Sequence, residues 1–120
     1  MPDFRLSPDE AVALAAFLSP RPDDSLVPRG RWRAEDPTPE RIERGKVLFE
    51  DELCSTCHTI GEAGGQFGPD LTHAAARLQP DYIAALLADP HRINPESQML
   101  PLDLTEEQIR SLVSFLLSNR

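Results

Sequence analysis

Apolar residues recur every three or four positions in four stretches of the chain, and this spacing predicts four helices. The predicted helices cover residues 7–18, 39–53, 81–88 and 105–117. The clearest pattern is in the last stretch, where Ile109, Leu112, Val113 and Leu116 follow the i, i+3, i+4, i+7 spacing of one helix face. No stretch alternates in the way that a half-buried strand requires. The pattern therefore predicts an all-α fold.

Two of the predicted helices begin with the same capping signal. Ser7 is followed three residues later by Glu10, and Thr105 by Gln108, which is the spacing of a capping box. Gly45 lies inside the second predicted helix, where glycine costs about 1 kcal/mol relative to alanine. We therefore expect another helix to approach closely at Gly45.

The first predicted helix also resembles the last one at an offset of 98 positions, without a gap. Met1, Leu6, Leu14, Phe17 and Leu18 fall on Met99, Leu104, Leu112, Phe115 and Leu116. Two amphipathic helices also match by chance, so that alternative stays open. Residues 19–37, rich in proline, arginine and acidic residues, are interpreted as a linker between an N-terminal helix over 1–18 and a main domain over 38–120.

The amino-acid composition excludes some classes of function for this protein. The 120 residues suffice for one domain, and 40% hydrophobic with 6% aromatic residues is thin for a core, a deficit that a large buried cofactor would fill. The net charge of −8 argues against nucleic acid and against an anionic membrane surface as partners. No apolar run approaches the roughly 20 residues that span a bilayer. The N-terminus lacks the basic region and apolar stretch of a signal peptide.

The two cysteines belong to the segment Cys54-Ser55-Thr56-Cys57-His58, which matches the haem-attachment motif C-x-x-C-H. Thiols at i and i+3 on a helical turn are placed to add to the two vinyl groups on one edge of a porphyrin. The histidine that follows is then held under the iron. The motif therefore predicts one covalently bound haem.

The cysteines have three alternative interpretations. A thioredoxin-like dithiol needs a preceding strand and a βαβ context, and neither is predicted. A zinc site would combine Cys54, Cys57 and His58 with His73 or His91, but adjacent Cys-His is an awkward pair of ligands for one tetrahedral ion. A purely structural cysteine pair is the third.

Over residues 38–120 the sequence resembles the class I cytochrome c family. The order of motifs carries the resemblance: a helix before C-x-x-C-H, then Gly68-Pro69-Asp70-Leu71, then Met99-Leu100-Pro101 and a final helix. Leu100 is a departure, because proline usually follows the methionine directly. The resemblance implies about four helices around one haem c, with the N-terminal helix and Pro-rich linker as additions.

The resemblance also implies a role for each matching residue. Cys54 and Cys57 would form two thioethers, and His58 would be the proximal iron ligand. The Pro69 carbonyl would orient the His58 imidazole, and Leu71 would line the haem pocket.

Two further roles concern the far side of the haem. Met99 would be the sixth ligand, so that His58 and Met99 hold the iron, with His73 and His91 as rival ligands. A thioether favours Fe(II) and raises the reduction potential. Arg77 matches an arginine that lies near a haem propionate, and the alternative for Arg77 is an ordinary solvated side chain.

With both axial positions filled, the expected function is single-electron transfer within a respiratory or other redox chain, and not catalysis. The alternative is a haem enzyme or sensor with a labile sixth ligand. The segment over residues 54–101 is similar to the cytochrome c domain fused to subunit II of caa-type haem–copper oxidases. The expected partner is therefore a redox protein or fused redox domain, basic or apolar where it docks at the haem edge, with no small-molecule substrate.

The same resemblance implies a periplasmic or other extracytoplasmic location, with attachment to a membrane through a parent protein as one option. Residues 1–18 repeat the layout of the ligand methionine and last helix. They are interpreted as the tail of a preceding cytochrome domain, which would make the chain a fragment of a multihaem protein.

Overall fold

A computed structural model of the protein describes residues 4–18, 27 and 37–119. Its elements in chain order are α1 Pro8–Leu18, α2 Pro39–Asp51, α3 Cys54–Cys57, β1 Thr59–Ile60, β2 Ala63–Gly64, α4 Ala74–Arg77, α5 Pro80–Ala88, α6 Pro90–Ile93 and α7 Glu106–Ser118. The four predicted helices correspond to α1, α2, α5 and α7, which confirms the mostly helical fold. Apart from two of its residues, the predicted linker lies outside the described residues, as does Met1 of the repeat.

Helix α2 ends two residues earlier than predicted, at Asp51. Leu53 adopts a left-handed conformation with φ 55°, and its N–H donates to the carbonyl of Glu50 over 3.0 Å. This conformation ends a helix and redirects the chain. The motif helix α3 therefore starts as a separate turn.

The prediction that the chain contains no strand is wrong for four residues. Thr59–Ile60 pairs antiparallel with Ala63–Gly64, and the turn between them uses Gly61 at φ 65°. Two residues per strand are too few for an alternating pattern to appear in the sequence. Helices α4 and α6 have four residues each, which is too short for the helical spacing of apolar residues to appear in the sequence.

The core is built around α7. Its members are Phe49 of α2, Ile83, Ala84 and Leu87 of α5, and Ile109, Leu112, Val113 and Leu116 of α7. This set includes the four apolar residues that predicted the final helix. The sequence pattern thus identified the side of α7 that faces the protein interior.

Helices α2 and α7 are in direct backbone contact. A Cβ atom on Gly45 would overlap with the carbonyl oxygen of Ser111 and lie 2.7 Å from Cβ of Phe115. One turn later the rings of Phe49 and Phe115 pack at 5.6 Å between centroids. The expected close helix approach at Gly45 is confirmed.

Helix α7 has two buried serines, of which Ser111 lies at this contact. Ser111 and Ser114 are buried, and each hydroxyl donates to a carbonyl one turn earlier in α7, over 2.9 Å to Glu107 and 2.8 Å to Arg110. Because the hydroxyls are satisfied within their own helix, their burial leaves no unpaired donor.

Helix α1 stands apart in its exposure. None of its residues is buried, and Phe17 keeps 79% of its surface exposed. Its predicted capping box is present, since Ser7 N–H donates to Glu10 and Glu10 N–H donates to Ser7 Oγ. Among the described residues, no helix has the length and apolar character needed to cross a bilayer.

Candidate functional site

The motif cysteines lie on one turn of helix α3, with His58 as the next residue. The N–H of His58 donates to the carbonyl of Cys54 over 2.9 Å and closes this turn. Cys54 and Cys57 are partly buried and are not joined in a disulfide. Burial and the nearby Glu52 carboxylate raise the pKa of the Cys54 thiol.

The chain after the motif folds back onto the motif through three backbone hydrogen bonds. The N–H groups of Gly65, Gly68 and Leu71 donate to the carbonyls of Ser55, Cys57 and Thr59, over 2.8, 2.7 and 2.9 Å. These bonds, together with the β1–β2 hairpin, hold the Gly68–Pro69 segment against His58.

The imidazole of His58 is oriented by Pro69. Nδ1 of His58 lies 2.8 Å from the Pro69 carbonyl oxygen. A carbonyl oxygen only accepts, so Nδ1 carries the proton in this hydrogen bond. The Nε2 atom then keeps its lone pair, which is the form of histidine that binds a metal.

Gly68 makes room for this ring. A Cβ atom at Gly68 would lie 2.6 Å from Cε1 and 2.7 Å from Nδ1 of His58. Any other residue at this position would push against the imidazole. Sequence reasoning placed Gly68 in a motif but did not find this contact, which only the folded loop reveals.

Asp70, Thr72 and Arg77 form a small polar network beside Pro69. Thr72 donates to Asp70 Oδ1 through its backbone N–H and its hydroxyl, and the hydroxyl accepts from the N–H of Gly61 over 2.8 Å. The hydrogen bonds from Thr72, with smaller contributions from Arg77 and His73, lower the pKa of Asp70. Sequence analysis missed Thr72, although Asp-x-Thr is the spacing of an Asx-type turn.

Arg77 lies at the end of α4, and its Nη2 donates to the backbone carbonyl of Asp70 over 2.6 Å. This contact brings the guanidinium next to the segment that holds His58. Arg77 is thus tied to the protein at the edge of the site.

The remaining predicted site residues follow the motif in the sequence. Leu71 and Met99 are partly buried and pack against the core cluster. The N–H of Met99 donates to Ser97 Oγ over 3.2 Å. The rival ligands His73, before α4, and His91, on α6, are both exposed.

The residues present fit a large cofactor with an apolar surface. A set of apolar side chains contacts the core and yet stays partly exposed. It includes Cys54, Ile60, Leu71, Met99, Leu102 and Leu104. Two thiols and an oriented imidazole are the groups that attachment and ligation of haem c use, and a thioether is one of the side chains that can bind haem iron on its other side.

The competing interpretations of the cysteines find less support. The motif follows a helix, α2, where a thioredoxin-like dithiol requires a strand. Within residues 4–18, 27 and 37–119, no three His, Cys, Asp or Glu side chains lie close enough together to hold a metal ion. A zinc site built from Cys54, Cys57 and His58 with His73 or His91 is therefore not formed.

Comparison with known proteins gives a family match. A family model described as Cytochrome c matches residues 42–120. The chain is 33% identical over 86 residues to the C subunit of nitric oxide reductase from Halomonas halodenitrificans, covering 64% of this chain and 57% of that protein. It is 35% identical over 89 residues to the corresponding protein of Paracoccus denitrificans, covering 67% and 59%.

A second kind of relative and a solved structure agree with this match. Cytochrome c oxidase subunit 2 of Alkalihalophilus pseudofirmus is 27% identical over 105 residues, covering 79% of this chain and 30% of that protein. The structure of a cytochrome c from Rhodothermus marinus superposes with a TM-score of 0.65 at 23% identity, covering 83% of this chain and 100% of the other. The chain thus spans between 30% and 59% of the length of these curated relatives.

Proposed function

The chain belongs to the cytochrome c family, and on this basis we propose that it transfers single electrons through one haem c held between His58 and Met99. Covalent haem c is the cofactor of the family, and Cys54 and Cys57 have the spacing of its two thioether attachment points. When bound, haem c supplies an iron that takes up and gives up one electron. The protein holds, orients and shields this iron.

The observation that carries the proposal is the hydrogen bond between His58 and Pro69. It fixes the proton on Nδ1 and directs the Nε2 lone pair away from the carbonyl, as a proximal ligand requires. Gly68 allows the ring to lie against the backbone in this orientation. His58 thus needs little rearrangement to bind iron, and this favours electron transfer.

Met99 is proposed as the second axial ligand. It is partly buried against the core, whereas His73 and His91 are exposed. A neutral thioether stabilises Fe(II) over Fe(III), which raises the reduction potential. With both axial positions occupied by side chains, no open coordination site is left for a substrate, and the domain is a carrier and not a catalyst.

The relatives support a place in a larger redox assembly. Two belong to nitric oxide reductases and one to a cytochrome c oxidase. We assign this domain to electron entry into such a complex, on the extracytoplasmic side where family members acquire haem. The domain limits at 19–37 and 38–120 belong to the same proposal.

Exposed apolar residues next to the site favour an apolar docking face. Leu53 precedes Cys54, Phe67 precedes Gly68, and Leu100 follows Met99. Their exposed fractions are 68%, 75% and 76%. A redox partner with an apolar docking face, or one with basic residues facing this acidic chain, fits this surface, and small transient contacts are usual for such partners.

Replacement of Met99 tests the axial ligation. The oxidised holoprotein should show the weak far-red absorption band of methionine bound to Fe(III). Met99→Ala should lose the band and bind carbon monoxide readily when reduced. Leu102→Ala, which alters a neighbouring partly buried side chain, is the matched control and should keep the band. A wild-type protein without the band that binds carbon monoxide would favour the enzyme or sensor alternative instead.

A further inference from the structure

The contact between α2 and α7 is made by three pairs of residues, each pair of a different chemical type. Three residues of α7, spaced four positions apart, meet three residues of α2 with the same spacing. The pairs are Glu107 with Arg41, Ser111 with Gly45, and Phe115 with Phe49. An acidic, a small and an aromatic residue thus meet a basic, a small and an aromatic residue.

Helix α1 has residues of the same three chemical types as α7, at the same four-residue intervals. At the offset of 98 positions, Asp9 corresponds to Glu107, Ala13 to Ser111 and Phe17 to Phe115. The three residues of α1 have the chemical groups that make the α2–α7 contact: a carboxylate, a small side chain that permits backbone approach, and a phenyl ring.

The two helices also start in the same register. Ser7 N–H donates to Glu10 over 2.9 Å, and Glu10 N–H donates to Ser7 Oγ over 3.3 Å. In α7, Thr105 and Gln108 make the equivalent bonds over 2.8 and 3.3 Å. Because the caps coincide, the corresponding residues point to corresponding sides of their helices.

The two helices differ in how much of their side-chain surface is exposed to solvent. Ser111 is 0% exposed, whereas Phe17 and Leu18 of α1 are 79% and 70% exposed. Residues 11–18 are apolar without interruption. Helical turns that are apolar on all sides are usually buried in folded proteins, and so residues 11–18 of α1 have the composition of an interface.

We propose that α1 binds the α2-type helix of another cytochrome c domain, a helix with a basic residue, a glycine or alanine, and an aromatic residue at four-residue intervals. The α2 helix of the same domain is already covered by α7, so the partner is a separate domain. A lipid surface is a poorer match, because the charges near the start of α1 are acidic, Asp9 and Glu10, and its last turn has no basic residue.

The match is complete at the three positions of α7 that contact α2 and partial at the core positions, where Leu14 and Leu18 match Leu112 and Leu116. Where α7 buries Ile109 and Val113 in the core, α1 has Ala11 and Ala15. The partner helix is therefore expected to contact the side of α1 formed by Asp9, Ala13 and Phe17. This inference depends on the family and on α1, and not on the axial ligands of the iron.

A peptide of residues 37–53 serves as the probe, made helical by a lactam between Glu43 and a Val47→Lys side chain, both at exposed positions. It is added to isotope-labelled full-length holoprotein, and backbone amide shifts are followed. We expect saturable shifts confined to α1, centred on Ala13 and Phe17, with an affinity in the sub-millimolar to millimolar range because one isolated helix contact is weak.

Three matched changes decide the outcome. A Gly45→Leu peptide, which blocks backbone approach, should bind at least about tenfold more weakly. Phe17→Ala in the chain should remove the binding with the haem spectrum unchanged, whereas Val12→Ala should retain it. The proposal is overturned if both peptides bind equally, if no α1 shift appears at millimolar peptide, or if α1 shifts follow protein concentration alone, which would indicate pairing of α1 with itself.

Discussion

Gly68 lies directly against the imidazole of His58, at a distance that leaves no room for a Cβ atom between them. The next residue, Pro69, accepts the hydrogen bond from Nδ1 of the same ring. One dipeptide therefore controls both the position of the ring and its tautomer. A glycine is required here by the approach of a side chain and not by a special backbone angle.

Gly68→Ala is expected to displace the imidazole and weaken its bond to Pro69. Overpacking of this kind destabilises by about 1–3 kcal/mol. Chemical denaturation of the holoprotein measures the loss, and the paramagnetic NMR shifts of the His58 ring report its orientation.

The control for this variant is Gly61→Ala. Gly61 has φ +65°, but no atom lies within 4 Å of an added Cβ. Gly61→Ala should lower stability by backbone strain alone and leave the His58 resonances in place. Identical His58 shifts in the Gly68→Ala protein would contradict the steric argument.

Gly45→Ala is expected to destabilise the domain, although helix propensity alone favours alanine by about 1 kcal/mol. The added methyl group would overlap with the Ser111 carbonyl, and backbone does not move aside as a flexible side chain does. We expect a net loss of about 1–3 kcal/mol in the free energy of unfolding. Lys46→Ala, at the adjacent exposed position of α2, should be close to neutral. A stabilised Gly45→Ala protein would show that the helices have room to separate.

Acid should weaken the loop that holds His58. Hydrogen bonds from Thr72 lower the pKa of Asp70 below its usual 3.8. A carboxyl with a lowered folded-state pKa contributes stability above its unfolded pKa and loses it as pH falls through the folded value. We therefore expect part of the unfolding free energy to disappear below about pH 4.

Asp70→Asn should remove this part of the acid dependence, as measured by denaturant midpoints over a pH series. Glu62→Gln, which changes an exposed carboxylate in the β1–β2 turn, is the control and should leave it in place. Equal acid dependence in wild type and Asp70→Asn would exclude Asp70 as its source.

Electron exchange should depend more on apolar contact than on charge. Phe67→Ser and Leu100→Ser are each expected to slow exchange with a small blue-copper protein by about threefold or more, because exposed anchors dominate such small interfaces. Phe4→Ser, at an exposed position outside the family match, should not change the rate. Stopped-flow kinetics at several ionic strengths give the charge contribution. A rate that falls steeply with added salt would instead favour basic residues on the partner.

The sequence predicted the parts of this molecule that depend on short-range order. The Cys54-to-His58 motif, the apolar face of α7 and the glycine at the α2–α7 contact are local patterns with one chemical explanation each. Helices of four residues and the two-residue strands left no periodic signal, because periodicity needs at least two turns or several alternations.

The contacts that orient the site were beyond sequence reasoning for another reason. Gly68 meets His58, and Thr72 meets Asp70 and Gly61, only after the loop has closed on the motif. Arg77 was expected near a propionate, and the structure shows which backbone carbonyl it holds, that of Asp70. The pairing of His58 with Met99 on one iron stays a prediction.

The backbone bonds that return residues 65–71 to residues 55–59 make one half of the site a short, local segment. Met99 follows His58 by 41 residues and comes with a distant part of the chain. Closing a short loop loses less entropy than closing a long one. We therefore expect both attachment sulfurs, the imidazole and its carbonyl acceptor to come together before the chain that carries Met99 has folded. Haem attachment would then need only the segment of about twenty residues that contains the motif and the Pro69 loop, and we expect the part of the chain with Met99 to fold onto it afterwards.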